Sequence, residues 1–154
     1  MIDKQTLNCE IIDLSYDGRG IGRINGKTCF IDGALPTEKV AFRRNHQKRN
    51  YDEGRVTEII AASEHRVEPS CKHFSRCGGC SLQHLDHRQQ LEFKQKQLLS
   101  NLQRGGLTPQ RVLPALSAPQ WGYRRRARLA VQRAKDGRFL IGFRNAGSRR
   151  IEPI

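Results

Sequence analysis

Apolar positions in the first sixty residues recur with period two in short runs that are broken by turn residues. Leu7, Cys9 and Ile11 fall on one face of a strand. Ile21 to Ile24 leads into Asn25-Gly26, a strong hairpin signal, and Lys27 to Ile31 supplies the return strand. Glu38 to Arg43 and Gly54 to Ile60 add two more. Strands this short and this close together cannot bury both faces as an open sheet, so residues 5–60 predict a small closed five-stranded barrel of OB-like type. The glycines of Asp17-Gly18-Arg19-Gly20-Ile21-Gly22 precede no helical pattern and therefore read as a barrel turn rather than a phosphate cradle. Arg43 to Tyr51 reads as a basic loop, open between an ordinary exposed connection and a phosphate contact.

After a polar stretch the period changes. Asp86 stands as a helix N-cap with Gln89 three residues on, and Leu91, Leu98, Leu99 and Leu102 give one apolar side, with Phe93 off it. The pattern runs to about Arg104, where Gly105-Gly106 stops it. Residues 107–120, with three prolines, form a linker. From Tyr123 to Val131 alternation returns, placing Arg124, Arg126 and Arg128 on one face and Tyr123, Arg125, Ala127, Leu129 and Val131 on the other. Asp136-Gly137 marks a turn and Phe139, Ile141 and Phe143 alternate on the strand after it. The expected chain is mainly β with one helix. A five-stranded OB-like barrel over 1–62 is followed by a Cys-rich region plus helix over 63–106, the linker, and the beginning of a β-hairpin domain over 121–154.

Length and charge narrow the function. At 154 residues the chain suits one or two small domains and not a large enzyme with its own nucleotide fold. No apolar segment approaches the length of a membrane span and no signal-like opening appears, so a cytoplasmic protein without a membrane partner is expected, and a monomer. The formal net charge is +13, and the excess is concentrated late: residues 121–154 hold ten Lys and Arg against two acids. A field of that sign attracts polyanions, of which nucleic acid is the commonest in the cytosol. Arg124, Arg126 and Arg128, with few acids nearby in sequence, are the candidate contacts to nucleic-acid phosphates.

Three of the five cysteines, Cys71, Cys77 and Cys80, lie within ten residues in the spacing C-x5-C-G-G-C. Thiolates are soft ligands, and short local spacings of this kind hold zinc or iron-sulfur clusters. Gly78 and Gly79 let the backbone turn tightly between two ligands. Within the chain His84, His73 or His87 could complete a Cys3His zinc site, which would make a stand-alone zinc-stabilised RNA-binding module. A fourth cysteine beyond Ile154 would favour a cluster instead. Cys9 and Cys29 fall on barrel strands, where they read as small buried hydrophobes.

Arg66-Val67-Glu68-Pro69 leading into Cys71, Cys77-Gly78-Gly79-Cys80 and Gln83-His84 resembles the cluster-binding region of the iron-sulfur-containing RNA uridine-5 methyltransferase family, specifically its bacterial 23S rRNA members. Residues 1–60 resemble the family's TRAM domain, an OB-like RNA-binding module. The run Trp121 to Leu129, Ile141-Gly142-Phe143-Arg144 and Ala146-Gly147-Ser148 resembles the opening of its central domain. The resemblance implies that Cys71, Cys77 and Cys80 are three of four ligands of a 4Fe-4S cluster, with the fourth just beyond Ile151-Glu152-Pro153-Ile154. It implies a structural cluster that fixes the barrel and the central domain relative to each other, and 23S ribosomal RNA as partner. The family adds a cysteine thiolate to uracil C6, attacks the methyl group of S-adenosylmethionine from C5 and removes the C5 proton with a base. The Asp-Pro-Pro-Arg loop and the doubly wound donor-binding sheet that serve this chemistry are not in the sequence, so it is expected to hold no catalytic or S-adenosylmethionine-binding residue, and to be inactive alone. Radical-SAM methylthiotransferases also carry TRAM domains, but with a C-x3-C-x2-C spacing and the domain at the opposite end.

Overall fold

A computed structural model describes residues 6–154, so the first five residues of the expected barrel domain lie outside the described residues. Five strands, β1 (Thr6–Leu14), β2 (Gly20–Ile24), β3 (Lys27–Asp32), β4 (Lys39–Gln47) and β5 (Tyr51–Ala61), close into a barrel in the order β1-β2-β3-β5-β4. Every neighbouring pair is antiparallel except β3 and β5, which run parallel. The Asn25-Gly26 turn joins β2 to β3 with φ of 50° and 80°, the left-handed pair that a tight two-residue hairpin requires. Alternation fills the interior with Cys9, Ile11, Cys29, Ile31, Val40 and Phe42, while Leu7 is half-buried against them.

The expected basic loop is shorter than the sequence suggests. Strand β4 runs to Gln47 and β5 begins at Tyr51, leaving a turn at 48–50 closed by a 2.9 Å bond from the Lys48 amide to the Tyr51 carbonyl. His46 opposes Glu53 and Gln47 opposes Asp52. A ladder needs backbone partners and not an apolar face, so polar residues extend this hairpin beyond the barrel wall.

One buried carboxylate ties the barrel to the segment after β5. Glu38 is 1% exposed and accepts bonds from the Leu35 amide (2.8 Å), the Ser63 amide (3.3 Å) and the Arg66 guanidinium (Nη2 to Oε2, 2.8 Å). Arg66 also reaches the Gly33 carbonyl at 2.7 Å. Residues 65–67 then meet 84–86 through an Arg66–Leu85 bridge and two backbone bonds, Val67 to His84 and Asp86 to His65. The chain between, 68–83, is an excursion whose two ends are stitched together.

Two compact units result. One comprises the barrel through Val67 with His84–Asp86, the other Glu68–Gln83 with His87–Ile154. In the second, helix α1 (His87–Arg104) starts and stops where the caps predict, and Gly106 and Leu107 amides bond back to Gln103 and Leu102. No residue of α1 is buried, and Leu98 is exposed. Strands β6 (Ala130–Arg133), β7 (Phe139–Arg144) and β8 (Ile151–Pro153) form an antiparallel sheet in that order.

The expected strand from Tyr123 to Val131 is not formed over most of its length: β6 begins only at Ala130, and residues 121–129 are irregular and exposed. Arg125 interrupts the apolar side of the alternation, so neither face of that segment gains from burial, and among the described residues no strand pairs with it.

His84 is 2% exposed. Burial first, and then the Arg66 cation, push its imidazole down to about 4, with Glu38 partly offsetting them. Burial raises the Glu38 carboxyl, but the Arg66 hydrogen bond and the backbone donors outweigh this and hold it below its ordinary value. Unfolding returns His84 to 6.5, so between about pH 6.5 and 4 the unfolded chain binds the extra proton. Stability from this group is complete above that window and is lost as pH falls through it, on the order of 3 kcal/mol, and Glu38 adds a loss of the same sign at lower pH. Urea midpoints should therefore fall between pH 7 and 4.5, and His84→Gln should flatten that slope.

Candidate functional site

The cysteine loop is built on the β7–β8 hairpin of the second unit. Its first part winds in tight turns, with the Phe74 amide bonded to the Cys71 carbonyl at 3.0 Å and the Cys77 amide to the His73 carbonyl at 2.7 Å. Cys77 then bridges to Asn145, the Gly78 amide donates to the Arg144 carbonyl at 2.9 Å and the Ala146 amide to the Arg76 carbonyl at 3.0 Å. A Cβ on Gly78 would lie 3.0 Å from the Arg144 carbonyl oxygen and 3.2 Å from the Ala146 nitrogen, so the loop approaches the hairpin more closely than a side chain permits. Gly79 turns its amide toward the Cys77 sulfur at 3.3 Å. An N–H aimed at sulfur is a contact that supports a sulfur ligand of a metal or cluster.

A second buried carboxylate locks this loop. Glu152 on β8 is 7% exposed, and its Oε1 lies 2.9 Å from His73 Nδ1 and 2.8 Å from Arg76 Nη2. Both partners come from the five residues between Cys71 and Cys77. Glu152 faces the same side of the sheet as Phe143, whose ring lies 3.5 Å from where a Gly79 Cβ would stand. The loop therefore covers one end of that sheet face, while Val131, Phe139 and Ile141 on the same face stay exposed. Nothing in the sequence pattern singles out Glu152. Its standing as one of only two acids in the last 34 residues is the available signal.

The five cysteines divide cleanly. Cys9 and Cys29 are shut in the barrel core, where burial raises both thiols, whereas Cys71 and Cys77 are half-buried and Cys80 is exposed. The three ligand candidates share one loop, yet among the described residues no three His, Cys, Asp or Glu side chains form a metal-holding group. Thiols have no mutual attraction that would gather them, and metal sites rarely preform. The donor set, three reachable soft ligands with an amide turned to one of them, fits a thiolate-bound metal or cluster. The histidines fit less well: His84 is 2% exposed, His73 Nδ1 is engaged by Glu152, and His87 Nε2 lies 3.2 Å from Ser117 Oγ. Arg124, Arg126 and Arg128 lie on the irregular segment, not in a row on a strand face. All three are exposed, with the Arg124 guanidinium 5.5 Å from the Tyr123 ring centroid.

Three cysteines should react quickly with an aromatic disulfide reagent in the native protein, and Cys9 and Cys29 only on unfolding. Glu152→Ala should speed the reaction at Cys71 and Cys77 by releasing His73 and Arg76, which rate measurements on the folded chain would detect.

Residues 4–57 match the family model of the TRAM domain. The chain is 47% identical over 157 residues to the 23S rRNA (uracil(1939)-C(5))-methyltransferase RlmD of Xanthomonas oryzae pv. oryzae, an alignment covering 99% of this chain and 35% of the relative. The proteins of the same name from Legionella pneumophila (strain Lens; 48% over 143 residues, 92% of this chain, 32% of the relative) and Stenotrophomonas maltophilia (45% over 158 residues, 99% and 36%) are similar to the same extent. The chain spans about a third of the length of these relatives. Among the described residues, no helix is long and apolar enough to cross a membrane.

Proposed function

We propose, for a chain that carries a TRAM domain and belongs along its whole length with the 23S rRNA (uracil-C5)-methyltransferases, that it is the RNA-binding and iron-sulfur-binding part of an enzyme forming 5-methyluridine in 23S rRNA. The observation that carries this reading is 45–48% identity in alignments that cover 92–99% of the chain. The whole protein would use S-adenosylmethionine as methyl donor in the cytoplasm. None of this chain's cysteines is the uracil nucleophile: Cys9 and Cys29 are sealed in the barrel, and the other three serve as ligands. Its work is to capture RNA and hold it in place.

Cys71, Cys77 and Cys80 would serve as three ligands of a 4Fe-4S cluster. When bound, the cluster supplies a rigid cross-link within the Cys-rich loop. Glu152 positions that loop by fixing His73 and Arg76, and the Gly79 amide donates to the Cys77 sulfur. Arg124, Arg126 and Arg128 meet phosphates. An irregular, exposed segment suits them, because it can follow a folded RNA backbone that a flat strand cannot.

Protein purified without oxygen should contain iron and acid-labile sulfide with broad visible absorption. Cys71→Ser, Cys77→Ser and Cys80→Ser should each lose it, and His84→Ala should keep it. Stoichiometric zinc without colour, lost in His84→Ala, would instead establish the zinc module. Charge reversal of Arg124, Arg126 and Arg128 together to Glu should lower affinity for a 23S rRNA fragment and reduce the log–log salt slope by about 2. Unchanged affinity would remove the arginine segment from the interface.

A further inference from the structure

The barrel sorts its cations. Arg19 is held by Asp17 and Glu53, Lys27 and Arg44 by Asp52, Lys39 by Glu10 and Arg55 by Asp32. Arg23, Arg43, Lys48 and Arg49 are exposed, and among the described residues none of them makes an ion pair. Arg43 lies along β4 opposite Thr6 and Arg55, whereas Arg23, Lys48 and Arg49 stand at one end of the barrel. Arg23 opposes Thr28 and Thr28 opposes Tyr51, which places Arg23 and Tyr51 on one outward row two strands apart, roughly 10 Å. Tyr51 directly follows the turn that carries Lys48 and Arg49.

The two hairpin tips at this end are bound together. Lys27, just after the β2–β3 turn, donates to the Lys48 carbonyl at 2.5 Å and to Asp52 Oδ1 at 2.6 Å, and Arg44 Nε lies 3.1 Å from the other oxygen of Asp52. Asp52 is 3% exposed, so the acid here is neutralised and shut from solvent. The Tyr51 ring packs edge to face on Phe30, with centroids 5.5 Å apart at 79°, and Arg19 stacks 5.0 Å from the Phe30 centroid. That packing holds Tyr51 in place while leaving it half-exposed.

Carboxylate-free cations around a fixed aromatic ring are the components with which single-stranded nucleic acid is gripped: charges track phosphates and the ring stacks on a base. We propose that this end of the barrel is a single-stranded RNA site, with Arg23, Lys48 and Arg49 on successive phosphates and Tyr51 stacked against a base. The proposal rests on the RNA-binding reading above and assigns to the barrel a contact separate from the arginine segment at 124–128. Asp52 is the positioning residue, because it draws Lys27, and through it the Lys48 carbonyl, toward the β2–β3 turn.

The test is affinity of the full chain for single-stranded RNA as a function of salt, in variants that leave the barrel interior untouched. Arg23→Gln, Lys48→Gln and Arg49→Gln together should weaken binding at least about tenfold at low salt and lower the log–log salt slope by about 2. A variant of equal charge on helix α1, with Arg88, Lys94 and Lys96 changed to Gln, should change both much less. Tyr51→Ala should cost roughly five- to a hundredfold and Tyr51→Phe should restore most of it. Equal losses in the barrel and helix variants would reduce the effect to bulk charge and overturn the site. Normal binding by the barrel variants, with loss confined to the charge-reversed 124–128 segment, would overturn the site and leave the RNA reading intact. An unmutated chain without RNA affinity would overturn both.

Discussion

Glu38 is the constraint on which the barrel unit depends. A carboxylate 1% exposed cannot remain ionised without compensation, and here the compensation comes from three separate parts of the chain: the Leu35 amide before β4, the Ser63 amide after β5 and the Arg66 guanidinium beyond. Such a pair is a weak source of net stability, since desolvation consumes most of the Coulomb gain. Its value lies in what it forbids. Any arrangement that moves Arg66 away leaves a buried charge unpaired, at a cost of about 3–5 kcal/mol, so the exit from the barrel has a single position. Residues 65–67 then pair with 84–86, which extends the barrel unit to Asp86.

Glu152 repeats the device in the second unit. There too a carboxylate is buried, and there too its partners come from a segment with no regular structure of its own. The parallel has a physical reason. A loop with three cysteines and two adjacent glycines has little apolar surface to bury and high conformational entropy, so hydrophobic packing cannot order it. A hydrogen bond from His73 and an ion pair with Arg76 at one buried acceptor, with backbone bonds to the β7–β8 turn, order it instead. His73, a possible zinc ligand when judged by spacing alone, is thereby tied to the support of the loop.

Local signals are legible where local forces decide. The barrel strands, the Asn25-Gly26 turn and both ends of α1 follow from alternation, left-handed turn chemistry and capping, and each appears where those rules place it. The basic hairpin and the arginine segment depart from expectation in opposite directions for one reason. Strand formation depends on a partner ladder, which alternation does not report: residues 44–47 have a partner in β5 despite their polarity, and 121–129 have none among the described residues despite their period. The cysteine ligand candidates are visible from spacing. Glu38 and Glu152 are not, since a single acid gains meaning only from contacts 28 and 79 residues away.

The distribution of acids explains how one basic chain can hold both structural and functional cations. Residues 1–60 contain nearly as many acids as bases, and there the paired cations brace the hairpins and the barrel wall. Desolvation at Asp52 is tolerable because Lys27 and Arg44 share it, and the same sharing removes negative potential from the end of the barrel where Lys48 and Arg49 project. In residues 121–154 acids are almost absent, and one of the two, Glu152, is engaged by the cysteine loop. Arg138 pairs with Asp136, but among the described residues Arg124, Arg125, Arg126 and Arg128 make no ion pair, and their mutual repulsion opposes the packing of a regular strand. A polyanion relieves that repulsion. Exposure and irregularity of 121–129 thus arise from the same shortage of acids that makes the segment attractive to phosphate.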